Sequence, residues 1–153
     1  MSTPTQRLAE LGLTLPPVAK PLAAYTPAIT VGNQVWVSGQ LPLRDGKLVA
    51  TGRLGDAVEP AEGVEAAKVA ALNALAAVAD QAGGLDNVAR ILKAVVFVAS
   101  TTDFTAQPQV ANGASELLGE VFGTPHVRSA VGVAVLPIDA PVEVELVAEL
   151  AAR

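Results

Sequence analysis

An alanine-rich segment from roughly Pro60 to Ala82 interrupts a sequence that is otherwise dominated by short β-forming runs. Its apolar residues recur at helical spacing and form one stripe, which comprises Val64, Ala67, Ala71, Leu75 and Val78. The segment ends at Gly83 and Gly84, and glycine is a common helix stop at this position. We therefore expect a long helix that buries its stripe against a sheet built by the runs on either side of it.

The remaining segments with regular patterns complete the predicted fold. Runs of β-forming residues and turn signals predict strands at 34–40, 47–53, 88–100, 128–136 and 142–150. A second helix is predicted at 107–122 and a short one at 3–13, where Thr3 precedes Pro4. The order is an N-terminal helix followed by ββαβαββ, which predicts an α+β fold with a single sheet and two helices packed on one face. We expect the first two strands to be antiparallel neighbours and the last two to form a hairpin.

The core of this chain has to be built from small side chains. Hydrophobic residues make up 51% of the sequence but aromatic residues only 3%, so Ala, Val and Leu must fill the interior. The mean hydropathy of +0.44 is high for a monomer in which 16% of the residues are charged. Surplus apolar surface of this kind is usually covered by association between subunits, so we expect an oligomer. A length of 153 residues is enough for one domain with its own core.

Charge and residue usage disfavour several classes of function. The net charge is −5 and the ten Lys and Arg residues are scattered singly, so nucleic acid is not an expected partner. The chain has no cysteine and a single histidine, so we expect neither a thiolate nucleophile nor a metal site, and no other cofactor is indicated. No apolar run reaches the ~18 residues of a membrane span, and the N-terminal residues lack an apolar signal region. These features predict a cytoplasmic protein with no membrane partner.

The last quarter of the chain carries the most specific chemical signal. Arg128 opens a predicted strand that is otherwise made of small and apolar residues, and its charge must be solvated or paired. A planar guanidinium with five N–H donors suits a carboxylate or phosphate, which predicts a small anionic ligand at Arg128. An ion pair with Glu143 or Glu145 across the expected hairpin is an equally good interpretation of the spacing alone.

Alternation along these two strands sorts their side chains onto opposite faces. Arg128, Ala130 and Gly132 share one face, where small neighbours leave room either for a ligand or for a packed helix. Glu143 and Glu145 share a face opposed to the valines between them, which predicts one polar and one buried face.

Four motifs in this order resemble the Rid family of reactive intermediate deaminases, also called YjgF-like or L-PSP proteins. They are Tyr25-Thr-Pro-Ala, Val35-Trp-Val-Ser-Gly-Gln-Leu-Pro, Val96-Phe-Val with Asp103-Phe104, and Arg128-Ser-Ala-Val-Gly-Val-Ala-Val-Leu-Pro followed by Val142-Glu-Val-Glu. The resemblance spans roughly residues 25–150 and implies a chorismate mutase-like fold that assembles as a homotrimer with ligand clefts between subunits. It also implies that residues 1–24 are a helical and proline-rich extension of a Rid domain at 25–153.

The resemblance further implies a 2-iminobutanoate/2-iminopropanoate deaminase-like hydrolase. Such an enzyme converts enamine or imine products of amino-acid dehydratases, such as 2-aminoacrylate, to the 2-keto acid and ammonia. Arg128 matches the arginine that grips the substrate carboxylate, and Glu143 matches the glutamate that positions or activates the attacking water. Residues Tyr25, Gly39 and Asn112 match residues that line the cleft. Without the resemblance, each has an ordinary interpretation: Tyr25 as an aromatic plug over the sheet, Gly39 as a strand-end bulge and Asn112 as an N-terminal-turn residue of the second helix. For Asn112 the ordinary interpretation is favoured.

Two features set the chain apart from close relatives of the active deaminases. Ala130, which we also expect to contact substrate, stands where those relatives often carry cysteine, so a thiol takes no part in the chemistry. Additional residues around 106–110 are expected to reshape the cleft. A non-catalytic trimer that binds a small carboxylate, as a metabolite sensor or carrier, is therefore the alternative function. Endoribonuclease activity is a weaker third hypothesis because the chain is acidic.

Overall fold

The computed structural model describes residues 2–152. Its helices are α1 (Pro4–Glu10), α2 (Pro60–Ala82) and α3 (Gln107–Phe122). Its strands are β1 (Ala28–Val31), β2 (Gln34–Gln40), β3 (Leu43–Arg44), β4 (Lys47–Leu48), β5 (Val88–Ala99), β6 (Val127–Val133) and β7 (Val142–Leu150). Short 3₁₀ turns lie at Leu85–Asn87 and Pro137–Asp139. The two long helices and the long strand in the middle of the chain are confirmed to within about a residue at each end.

Five of the strands form one mixed sheet in the order β1-β2-β7-β5-β6. All neighbouring strands are antiparallel except β5 and β6, which are parallel and are joined through α3. The predicted hairpin of the last two strands is therefore wrong, because β5 lies between β6 and β7. Alternation along a strand determines which side chains share a face, but it does not determine which strand lies alongside.

The prediction of a strand at 47–53 is also wrong for most of its length. Only its first two residues are extended, and β4 pairs with β3 in a separate small hairpin rather than with β2. Asp45 and Gly46 connect the two short strands with positive φ angles of 54° and 79°, which suits a tight hairpin turn. The chain then bends at Gly52, whose φ is 112°. The place beside β2 is taken by β1, which the sequence analysis did not predict.

Helices α2 and α3 cover one face of the five-stranded sheet, as predicted. Alternate residues of β7, namely Val142, Val144, Leu146 and Ala148, are buried beneath them. On the other face, Glu143, Glu145 and Val147 remain partly exposed. The strand register places further exposed apolar side chains on this second face, namely Ile29, Trp36, Val127 and Val131. We call this surface the open face.

Helix α1 is part of the same compact unit. Thr3 caps it, because its hydroxyl accepts a hydrogen bond from the Gln6 backbone while the Gln6 side chain accepts one from the Thr3 backbone. Its residue Leu8 is buried in the core, and the helix contacts α3.

Close packing between α2 and α3 depends on a glycine. A Cβ atom added at Gly113 would overlap the backbone carbonyl oxygen of Val64 and would lie 2.9 Å from its carbonyl carbon. Backbone atoms cannot move aside as the end of a long side chain can, so the two helices approach each other at a distance that only glycine permits. Gly119 lies in the same helix, but a Cβ atom there would meet open space.

Replacing Gly113 with alanine is expected to lower the free energy of unfolding by about 1–3 kcal/mol, because the methyl group forces the helices apart. Gly119→Ala is the matched control and is expected to raise the free energy of unfolding by about 0.5–1 kcal/mol through helix propensity. Urea denaturation at equal protein concentration measures both values. Equal stability of the two variants would contradict the close approach of α2 and α3.

Candidate functional site

Arg128 lies on the edge strand β6 and turns its side chain toward the helix layer. Its guanidinium contacts α3: Nη1 donates to Asn112 Oδ1 at 2.7 Å and to Ser115 Oγ at 3.2 Å. Nη2 donates over a longer distance, 3.5 Å, to the carbonyl of Pro108. Nε makes no hydrogen bond with any of residues 2–152. The edge of the guanidinium formed by Nε and Nη2 therefore keeps donors that a planar anion can use.

The alternative explanation of Arg128, an ion pair with a glutamate of β7, is wrong. Within the described part of the chain, the one ion pair joins Arg44 and Glu65 at 3.2 Å on the exposed surface. Arg128 is also on the helix side of the sheet, whereas Glu143 and Glu145 are on the open face and β5 separates their strands.

Glu143 lies on the open face of β7, directly beside Phe97 of β5. The side chain is half-buried, and burial raises the pKa of its carboxyl above the ordinary glutamate range, with a further contribution from the negative charge of Glu145. A carboxyl with a raised pKa is suited to exchange protons with a bound water near neutral pH.

Gly39 lies against Glu143 inside an irregularity of β2. The register between β2 and β7 shifts between Val37 and Gln40, which agrees with the alternative interpretation of Gly39 as part of a strand bulge. A Cβ atom at Gly39 would lie 2.6 Å from Cδ of Glu143, so glycine makes room for the carboxylate. Tyr25 is about half exposed on the loop before β1 and shares a small cavity with Gly39.

The structure thus gathers the predicted site residues into two groups. Tyr25, Gly39 and Glu143 form the first group, and Arg128 with Asn112 forms the second. Ala130 lies on the same strand and face as Arg128, where it is partly buried against the core. In one chain the strand that carries Gly39 is three strand intervals from β6, which is about 14 Å at about 4.8 Å per interval.

Two residues next to Arg128 escaped the sequence analysis. Ser115 Oγ accepts from Arg128 and lies 3.0 Å from Nε2 of His126. Burial lowers the pKa of His126 below its ordinary value, and the positive charge of Arg128 lowers it further. A signal for both residues exists in the sequence: Ser115 follows Asn112 by three positions on a helix, and His126 precedes Arg128 by two positions at a strand.

Residues 2–152 contain no group of three or more His, Asp or Glu residues that could hold a metal ion. None of their helices is long and apolar enough to cross a membrane. A cavity of about 740 Å³ lies between the segment Gly12–Lys20, the β3–β4 hairpin and α2, and it includes neither Arg128 nor Glu143.

Comparison with known proteins places this arrangement in a family. The chain matches the model described as "YjgF/chorismate_mutase-like, putative endoribonuclease" over residues 5–150. The chain therefore belongs to the YjgF/chorismate mutase-like family, which confirms the resemblance to Rid proteins found in its motifs.

Individual relatives differ in what their names report. The chain is 44% identical to Protein TCP17 of Trypanosoma cruzi, over 94% of this chain and 91% of that protein. It is 29% identical to a 2-iminobutanoate/2-iminopropanoate deaminase of Dermatophagoides farinae, over 87% of this chain and 91% of the deaminase. Among solved structures, the protein Atu1372 of Agrobacterium tumefaciens, described as having unknown function, matches with a TM-score of 0.88 and 42% identity. That match covers 98% of this chain and 94% of the other.

The raised pKa of Glu143 predicts that this residue destabilises the fold at neutral pH. The pKa of this carboxyl is higher in the folded state than in the unfolded state. At low pH the carboxyl is protonated in both states and does not change the free energy of unfolding. As the pH rises through the two pKa values, the carboxyl lowers the free energy of unfolding by a growing amount. Glu143→Gln should therefore melt at a higher temperature than the wild type at about pH 7, and the difference should shrink as the solution is acidified. Glu149→Gln removes a carboxylate from the same face of β7 and serves as the control. Thermal melts at fixed protein concentration test this, and a destabilised Glu143→Gln at neutral pH would refute it.

Proposed function

We propose that the protein hydrolyses reactive imines and enamines of the 2-aminoacrylate type to 2-keto acids and ammonia. The observation that carries the proposal is the pattern of hydrogen bonds made by the guanidinium of Arg128. Asn112 and Ser115 hold one end of its guanidinium, while the Nε–Nη2 edge retains donors in the geometry that a carboxylate accepts. The deaminase name of a relative with 29% identity over most of its length supports the same chemistry.

The reaction assigns one task to each group of residues. Arg128 binds the substrate carboxylate and thereby orients the adjacent C=N carbon. Glu143 accepts a proton from water as the water oxygen adds to that carbon, and returns a proton to the nitrogen of the resulting carbinolamine. The hydroxyl proton of the carbinolamine then moves to the nitrogen through Glu143 as the C–N bond breaks, so that ammonia leaves and the carbonyl of the keto acid forms. No thiol, metal or other cofactor is required by this sequence of steps.

The active assembly in this proposal is a homotrimer whose clefts lie between subunits. The Arg128 group of one subunit faces the Glu143 group of the next, because within one chain the two groups lie on opposite faces of the sheet. The exposed apolar residues of the open face, among them Trp36 and Ile29, supply surface for such contacts. In this arrangement Tyr25, Gly39, Asn112 and Ala130 line the cleft.

The proposal is tested by adding the protein to a serine or threonine dehydratase reaction and following release of the keto acid. The wild type should accelerate release. Arg128→Ala should lower kcat/KM by roughly 100-fold, since the two charge-assisted hydrogen bonds of a bidentate pair contribute ~3 kcal/mol together. Arg128→Lys should not restore activity, because an ammonium group cannot donate two parallel hydrogen bonds to a carboxylate.

Arg44→Ala is the matched control, because Arg44 is an exposed arginine on the β3–β4 hairpin. Its activity should equal that of the wild type. No acceleration by the wild type, or full activity in Arg128→Ala, would overturn the proposal. Saturable binding of pyruvate without turnover would instead favour the non-catalytic carboxylate-binding protein, and RNA cleavage lost with Arg128 would favour an endoribonuclease.

A further inference from the structure

A chain of hydrogen bonds connects Arg128 to the single histidine of the sequence. Arg128 Nη1 lies 3.2 Å from Ser115 Oγ, and Ser115 Oγ lies 3.0 Å from His126 Nε2. Ser115 follows Asn112 by three residues on α3, so one face of this helix presents both of the residues that hold the guanidinium.

The chemistry of the three groups fixes the direction of the chain. A guanidinium only donates, so Ser115 Oγ must accept from Arg128 and its own hydrogen remains free. That hydrogen is donated to Nε2 of His126 when the ring is neutral and carries its proton on Nδ1. When His126 is protonated, Nε2 becomes a donor, and the serine oxygen then accepts from two cations.

Electrostatics favours the neutral state of His126 in the free protein. The ring is partly buried, and β6 presents the positive charge of Arg128 to it while α3 presents the uncharged hydroxyl of Ser115. His126 forms no ion pair with a carboxylate of the described residues. Burial is the larger cause of the lowered pKa of His126, and Arg128 is the charged group that lowers this pKa further.

We infer that Ser115 and His126 are positioning residues of the carboxylate site and couple ligand binding at Arg128 to proton uptake by His126. The inference rests on the proposed function, since it requires a carboxylate at Arg128. A bound carboxylate neutralises the guanidinium and so removes the repulsion that disfavours a protonated ring. By reciprocity, protonation of His126 strengthens carboxylate binding.

The single histidine makes this coupling directly measurable. Its imidazole C–H resonances report one site without ambiguity of assignment. We expect the NMR titration curve of His126 to move to higher pH when pyruvate saturates the protein. Pyruvate remains anionic throughout, so its affinity for the wild type should rise roughly three- to tenfold between about pH 8 and about pH 5.

Variants separate a positioning role from a merely structural one. In a Glu143→Gln background, which removes the carboxyl that the proposed cleft brings near the ligand, His126→Gln should bind pyruvate with an affinity that no longer depends on pH in this range. Ser115→Ala should weaken binding severalfold at every pH, and Ser115→Thr, which keeps the hydroxyl, should restore it. Circular dichroism establishes whether each variant is folded. If Ser115→Ala does not fold, the comparison of His126→Gln with its Glu143→Gln parent is sufficient to test the inference.

Each outcome bears on a different statement. Pyruvate that binds to the wild type without moving the His126 titration overturns the inference and leaves the proposed function standing. The same holds if His126→Gln in the Glu143→Gln background retains the pH dependence of binding. Failure of the wild type to bind either pyruvate or 2-ketobutyrate at any pH overturns the inference together with the proposed function.

Discussion

The hydrogen bond between Arg128 and Asn112 joins the edge of the sheet to helix α3, and the rest of the site depends on it. It forms because β6 runs parallel to β5, which requires the chain to return through a helix, and that helix is α3. The crossover places Asn112 and Ser115, in the second and third turns of α3, above Arg128 near the start of β6. The charge of Arg128 would be costly on an edge strand without partners. It is held there by the amide of Asn112 and the hydroxyl of Ser115 rather than by a carboxylate.

Small side chains are the reason that the helix layer can hold this contact. Gly113 brings the backbone of α3 against that of α2, and alanines line much of the buried surface of α2. Gly132, farther along β6, leaves space that the side chain of Gln107 occupies. At Gly132, the space beside the strand is thus used by α3, which is one of the two interpretations that the sequence left open for the small residues on this face. The bulky apolar residues that remain exposed lie mainly at the sheet edges and on the open face, where a second subunit can cover them.

Local sequence patterns predicted most of the helices and strands, but they could not predict which distant segments pair with each other. The stripe of α2, the length of β5 and the alternation of β7 are properties of contiguous residues, and all three were predicted correctly. The hairpin of the last two strands was wrong, because 128–136 and 142–150 are close in sequence while β5 separates them in space. Ser115 and His126 were missed for a similar reason: their spacing from Asn112 and Arg128 becomes informative only once α3 is known to pack against β6. Arg128 was selected as a candidate because a charged residue in an apolar strand is conspicuous, whereas Glu143 was selected mainly through the resemblance to the Rid family.

The central claim is that Arg128 binds the carboxylate of an organic acid in a cleft between two subunits. A crystal structure of the protein with bound 2-ketobutyrate tests it most directly. The account predicts that the carboxylate of the ligand accepts hydrogen bonds from Nε and Nη2 of Arg128, and that Glu143 of a neighbouring subunit lies beside the keto carbon. An Arg128 bound only to Asn112, Ser115 and Pro108, with the ligand elsewhere or with no second subunit near it, would contradict the account.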